Sequence, residues 1–258
     1  MSAVSAERLS LGEGSSGREI AVLHRSGGAP GLLWLGGFLS DMTGKKAEAV
    51  DAFAAERGLA ATRFDYSGHG ASGGDFMDGT ITRWLEEARA VFDRHTSGRV
   101  ILVGSSMGGW IALRLAESLR DTGRIAGLLL IAPAVDMTRA LMWDRWKKKT
   151  RDTLMTTSEV REPSSYSDTP YIITRTLIED GDAHLFGNRL IDVGCPVTIL
   201  QGVVDKEVPW RHAAALVERL ASDDVVLTLV KDGDHRLSRP EDLAQLHAAL
   251  AALVAEAA

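Results

Sequence analysis

The run Val100-Ile101-Leu102-Val103-Gly104-Ser105-Ser106-Met107-Gly108-Gly109-Trp110 decides the fold. Its first four residues are apolar and read as a buried strand, and the amphipathic stretch 109–120 reads as a helix. Gly104, Ser106 and Gly108 are therefore a G-x-S-x-G pattern set on a strand-to-helix turn. Such a turn is strained, lifts its central hydroxyl into a cleft and aims the following helix N-terminus at it. Gly104 and Gly108 suit it because side chains there would collide with the flanking helix and strand. The five-residue pattern alone recurs by chance; the strand before it, the helix after it and a third glycine, Gly109, give it weight. Ser106 is the candidate nucleophile, since Ser105 lacks the glycine spacing.

Outward from this turn, short apolar runs bounded by Gly or Pro alternate with longer amphipathic stretches. The runs 32–35, 60–64, 100–103, 127–132, 196–200 and 225–230 read as strands, and 45–58, 81–95, 109–120, 211–220 and 241–255 as helices. Alternation of this kind implies an α/β protein whose mostly parallel sheet is covered by helices on both faces. Leu9, Leu11, the turn 12–17 and the run 19–24 predict a β-hairpin at the N-terminus. Between Asp136 and Asp192 no clear strand run is present and Trp143, Trp146 and Tyr171 mix with charges, which predicts a small helical cap inserted at about 137–192. No internal repeat or long linker divides the chain, so a single domain over 1–258 is expected.

A serine hydroxyl needs a base, and the base needs a carboxylate to hold its tautomer. Asp205 lies in the loop after the strand 196–200 and is the candidate acid; Glu207 is the runner-up, more naturally placed at the start of the next helix. His235 follows the last strand, 225–230, and is the candidate base. His24, His95, His184, His212 and His247 fall on the hairpin, helices or cap, where a partly exposed histidine is the default. His69 lies in the tight loop 63–72, before the nucleophile in the chain, so a structural role is expected for it, and Asp65 is expected to organise backbone amides there. An oxyanion hole needs two N–H donors. The amide of Met107 and that of Phe38, beside the glycine pair Gly36-Gly37, are the candidates.

The composition narrows the function classes. With 258 residues, 45% hydrophobic and 25% charged, the chain can bury a full core, and a coiled coil, collagen or disordered tail is excluded. The net charge is −6 and the one basic run, Lys147-Lys148-Lys149, reads as a solvated helix face, so no nucleic-acid partner is expected. Patterns for metal, phosphate-loop or dinucleotide binding are absent, and no cofactor or metal is implied. The single cysteine, Cys195, cannot form an internal disulfide, which suits a reducing, cytoplasmic setting. Before Pro196 it reads as a small buried hydrophobe, not a nucleophile. The first 17 residues lack a signal-peptide core and no run approaches the roughly 20 apolar residues of a membrane span, so an unexported, soluble protein is expected.

The blocks 36–47, 63–73, 101–116, 196–210 and 232–239 together resemble the α/β-hydrolase superfamily, over nearly all of the chain after Gly31. Gly37-Phe38-Leu39-Ser40, Arg63-Phe64-Asp65-Tyr66-Ser67-Gly68, Gly108-Gly109-Trp110, Val208-Pro209-Trp210 and Asp234-His235-Arg236 are similar to an α/β-hydrolase-domain group of palmitoyl-protein thioesterases and acyl-glucuronide hydrolases. One departure is Gly36, where many of these hydrolases carry a histidine. The resemblance implies Ser106, Asp205 and His235 as nucleophile, acid and base, and a serine hydrolase of carboxylic esters or thioesters acting on a small or acylated substrate. Leu39 and the cap residues Met137, Met142, Trp143, Trp146 and Tyr171 are the candidate acyl pocket, with the cap's own core as their other reading. A non-catalytic binding module, a peptidase and a C–C bond hydrolase are the alternatives, while a hydrolytic dehalogenase would need Asp at position 106.

Overall fold

The structure is a computed structural model that describes residues 4–13, 17–163, 170–222 and 224–257. Strands β1 (Val4–Leu11) and β2 (Arg18–Arg25) pair antiparallel from Val4 opposite Arg25 to Leu11 opposite Arg18. This is the expected hairpin, though residues 14–16 of its turn lie outside the described residues. The chain continues through β3 (Gly28–Leu35), α1 (Lys45–Arg57), β4 (Leu59–Phe64), α2 (Ile81–His95), β5 (Val100–Ser105), α3 (Met107–Leu119) and β6 (Ile125–Ile131). After the cap come β9 (Val197–Gly202), α6 (Trp210–Arg219), β10 (Val225–Val230) and α7 (Pro240–Ala257), following the cap strands β7 (Glu159–Glu162) and β8 (Tyr171–Thr174).

Eight strands form one sheet in the order β1-β2-β4-β3-β5-β6-β9-β10. Every pairing from β4 to β10 is parallel. The strands read as unbroken apolar runs because both faces are buried. Leu33, Leu35, Leu102, Leu128, Leu130 and Ile199 point to the side covered by α2, α3 and α6, and Leu32, Trp34, Ile101, Val103, Leu129 and Leu200 to the side covered by α1 and α7. Since the strands are parallel, their carboxyl ends open on one edge of the sheet. The loops after β3, β5, β9 and β10 gather there.

The cap departs from the helical expectation. It begins with a π-helical turn (Met137–Met142) and a 3-10 turn, continues into α4 (Lys148–Thr157), and then forms the antiparallel hairpin β7–β8 before α5 (Arg175–Gly181). Its residues 164–169 lie outside the described residues. The hairpin escapes sequence reading because β7 carries one inward apolar residue, Val160, between charged neighbours; Val160 faces Ile173 of β8 and both are buried. Two residues of one period are too few to register as alternation. Among the described residues no helix is long and apolar enough to cross a membrane.

Candidate active site

The strand β5 delivers the chain to Ser106, which stands at φ 54°, ψ −117°, a backbone state that costs of order 1–3 kcal/mol for a residue with a side chain. Neighbouring elements hold it there. Ser106 N–H donates to the Ile131 carbonyl at 2.9 Å, and the Ser106 carbonyl accepts from Gly109 and Ala134 at 2.9 and 3.0 Å. The two glycines are sterically required: a Cβ on Gly104 would sit 2.4 Å from the Gly108 carbonyl oxygen, and one on Gly108 would sit 2.0 Å from that of Leu35. Helix α3 and strand β3 are the elements that would be struck.

Ser106, His235 and Asp205 come together from the ends of β5, β10 and β9. His235 Nε2 is 3.1 Å from Ser106 Oγ, and His235 Nδ1 is 2.7 Å from Asp205 Oδ2. The Asp205 side chain is fully buried. Its Oδ1 accepts the backbone N–H groups of Glu207 and Val208, both at 2.9 Å, and Oδ2 also accepts from Gln201 Nε2 at 3.2 Å. The carboxylate accepts a hydrogen bond from the imidazole at Nδ1, so that Nδ1 carries the ring proton. Nε2 is then left with its lone pair toward the serine hydroxyl, the arrangement a base needs to accept that proton.

The His235 loop is braced on both sides. Asp234 Oδ1 accepts from the N–H groups of Arg236 and Leu237 at 3.0 and 3.1 Å, and Lys46, in the first turn of α1, donates Nζ to the Arg236 carbonyl. Burial brings the Lys46 ammonium down to about 8, against the pull of Asp234. Nothing in the sequence distinguishes Lys46 from its exposed neighbour Lys45.

Glu207 takes a place that sequence reasoning missed. It does not orient the base; its Oε2 lies 3.5 Å from His235 Nε2, beside the serine. Burial raises its carboxyl above the usual range, His235 and Arg236 pulling it back and Asp205 and Asp234 adding to the rise. His69 stays apart from the serine, as its chain position predicted, and Asp65 accepts the N–H groups of Met42 and Ala71 at 2.6 and 2.7 Å. Cys195 is buried, and desolvation pushes its thiol up to about 12.

Ser106 and His235 open into a cavity of about 1250 Å³. Leu39, Met137, Met142, Trp146 and Tyr171 line it, as does Phe38. Trp143 does not. It is half-buried and packs against the core cluster, the cap-core reading of that residue, with the guanidinium groups of Arg139 and Arg151 each 5.4 Å from its ring centroid. Met137 and Trp146 serve the core as well as the cavity wall, both being buried in the cluster that runs under the sheet. Phe38 and Met107, whose amides are the candidate oxyanion donors, flank Ser106 from two directions: Met107 is the first residue of α3, and a Cβ on Gly37 would meet Ser106 Cβ at 3.3 Å. Among the described residues no three His, Cys, Asp or Glu side chains gather to hold a metal ion.

Comparison with known proteins gives the family and the fold. The family described as serine aminopeptidase, S33 (Hydrolase_4) matches residues 37–180. The mitochondrial palmitoyl-protein thioesterase ABHD10 of Mus musculus is 34% identical over 87% of this chain and 75% of its own length. A solved putative hydrolase from Agrobacterium vitis S4 superposes with a TM-score of 0.95 at 50% identity, covering 98% of this chain and 99% of that one. The α/β-hydrolase domain-containing protein 10 from mouse does so with 0.88 at 31% identity, covering 98% and 100%. The chain belongs to the serine aminopeptidase S33 family and is an α/β-hydrolase enzyme.

Proposed function

We propose that the protein is a serine hydrolase that cleaves carboxylic esters or thioesters of acylated substrates through Ser106, His235 and Asp205. The observation that carries this reading is the continuous chain of 3.1 and 2.7 Å contacts from Ser106 Oγ through the imidazole to a buried carboxylate, placed at a cavity with an apolar cap wall. Ser106 Oγ attacks the acyl carbonyl carbon as its proton passes to His235 Nε2. The negative charge that develops on the carbonyl oxygen is held by the N–H groups of Phe38 and Met107. As the tetrahedral species collapses, Nε2–H gives its proton to the departing oxygen or sulfur and the acyl group remains on Ser106. A water molecule then attacks that ester, losing a proton to Nε2, and the acid leaves with Oγ reprotonated.

The apolar part of the cavity supports an acyl group there, and the thioesterase named among the relatives supports an ester or thioester over a peptide. The single buried Cys195 supports a reducing setting such as the cytoplasm, whereas that relative is a mitochondrial protein.

Labelling with a fluorophosphonate probe tests the mechanism. Wild type is expected to label, and Ser106→Ala and His235→Ala, with unchanged circular dichroism, to lose labelling. A folded wild type that does not label under conditions where a control esterase does, and that turns over no p-nitrophenyl ester, defeats the reading in favour of a binding module. A panel of p-nitrophenyl esters, acyl thioesters and aminoacyl p-nitroanilides then ranks the substrate classes, and faster anilide cleavage would make the protein a peptidase.

A further inference from the structure

We propose that His69 is a positioning residue for catalysis: its neutral imidazole accepts the N–H of Leu39 and so anchors the turn that presents the Phe38 N–H. The inference rests on the assignment of the Phe38 N–H to the oxyanion hole.

Residues 37–40 make a tight turn, closed by Ser40 N–H donating to the Gly37 carbonyl at 3.1 Å. Its third residue, Leu39, has φ 55°, a left-handed state that side-chain-bearing residues rarely adopt, and its side chain is exposed, so burial of that side chain does not hold it there. The contact that holds it is to His69, with Leu39 N 3.1 Å from His69 Nε2, which ties the turn, one residue past the Phe38 N–H, to the loop after β4.

The imidazole is prepared to accept. Its Nδ1 is 3.1 Å from the Ser67 carbonyl, which can only accept, so Nδ1 carries the proton and Nε2 the lone pair. The ring is 4% exposed and enclosed by Tyr66, Phe76 and Trp84, with centroids 5.9, 5.2 and 5.2 Å away. Trp84 Nε1 donates to the same Ser67 carbonyl at 3.2 Å. Burial holds His69 below the ordinary histidine range, which keeps it in the accepting form. Phe76 and Trp84 also pack against the Phe38 ring, at 5.1 and 6.0 Å, so one aromatic cage seats both the acceptor and the residue whose N–H is the candidate oxyanion donor.

Nitrogen NMR of the histidine-labelled wild-type chain reads the tautomer without any substitution: protonation of His69 at Nδ1 is expected, and protonation at Nε2 overturns the proposal. His69→Phe keeps an aromatic ring in the cage and removes the acceptor. Its kcat on a p-nitrophenyl ester is expected to fall roughly 100-fold, comparable with loss of an oxyanion donor, with KM nearly unchanged. Affinity for a trifluoromethyl ketone, whose adduct with Ser106 carries an oxyanion, is expected to fall by the same factor. His69→Gln, which offers a side-chain carbonyl to the Leu39 N–H, is expected to recover much of both losses. A folded His69→Phe with wild-type kcat and ketone affinity overturns the proposal, as does an equal loss in Phe and Gln variants that follows KM. Turnover that survives Ser106→Ala removes the serine-hydrolase reading itself and the proposal with it. When Ser106 remains essential, the outcomes bear on His69 alone.

Discussion

Each oxygen of the Asp205 carboxylate takes two donors, so the charge that orients His235 is satisfied without water. Glu207, two residues on, has a different position in the energetics. Its backbone N–H supports Asp205, while burial raises its carboxyl above the usual range and His235 and Arg236 pull it back. A carboxyl that holds its proton more tightly in the folded than in the unfolded chain is neutral in both states at low pH and costs no stability there. The cost grows as pH rises through the unfolded carboxyl range and is complete above the folded value. Glu207→Gln keeps the shape and the backbone contact and removes that cost. At pH 8 the variant is expected to melt about 1–3 °C above wild type, with the gain vanishing below about pH 4. A gain that persists into acid, or a loss at pH 8, would contradict a desolvated carboxylate at that position. Calorimetry or circular dichroism across that pH range gives the answer. Ser106, Asp205 and His235 could be picked out as candidates because each lies in a loop or turn at the end of a strand whose apolar run is unmistakable, and the structure brings the three side chains together. The roles of Glu207 and His69 could not, because they depend on which way a side chain turns across a gap between loops distant in the chain.

At the scale of elements, the parallel strands and their helices were legible almost throughout: the helix 81–95 and the strand 225–230 fall where periodicity sets them. Their patterns are long, and burial on both sheet faces makes the strands uniformly apolar. The cap was legible as an interruption, while its internal form rests on contacts that local patterning does not encode. Asp136 shows this. It opens the cap in a left-handed conformation, is buried, and accepts the N–H groups of Phe186 and Gly187 near the cap's far end at 2.8 and 3.0 Å. Arg219 of α6 lies 3.4 Å from the same carboxylate and donates to the Gly187 carbonyl. One side chain thus joins the two ends of the insertion to the body of the protein. Asp136→Ala strands two amides and removes the carboxylate beside Arg219, and urea unfolding is expected to show a loss of about 3 kcal/mol at unchanged m. A loss under 1 kcal/mol would mean that the cap is held elsewhere.

For the molecule as a whole, the question is whether the cap and the sheet unfold separately. An inserted cap with its own core would melt by itself, as independent folding units do. This cap lacks one. Trp146 and Leu154 from its first part, Val160 and Ile173 from its hairpin and Leu177 and Ile178 from α5 are buried in the same cluster as Leu102 of β5, Trp110 of α3 and Leu130 of β6. The second cluster, under α1 and α7, shares those central strands through Ile101, Val103 and Leu129. Removing either layer would expose one whole face of a sheet buried on both sides, an apolar loss too large for an intermediate to survive at equilibrium. Scanning calorimetry is therefore expected to show a single endotherm whose calorimetric and van't Hoff enthalpies agree, with a heat-capacity increment of about 3–4 kcal/mol/K for a chain of this length. Two resolved transitions, or a calorimetric enthalpy well above the van't Hoff value, would make the cap an independent unit. In the expected case, a cap substitution such as Asp136→Ala shifts the one transition as a whole, and the cavity wall it carries stays ordered for as long as the sheet does.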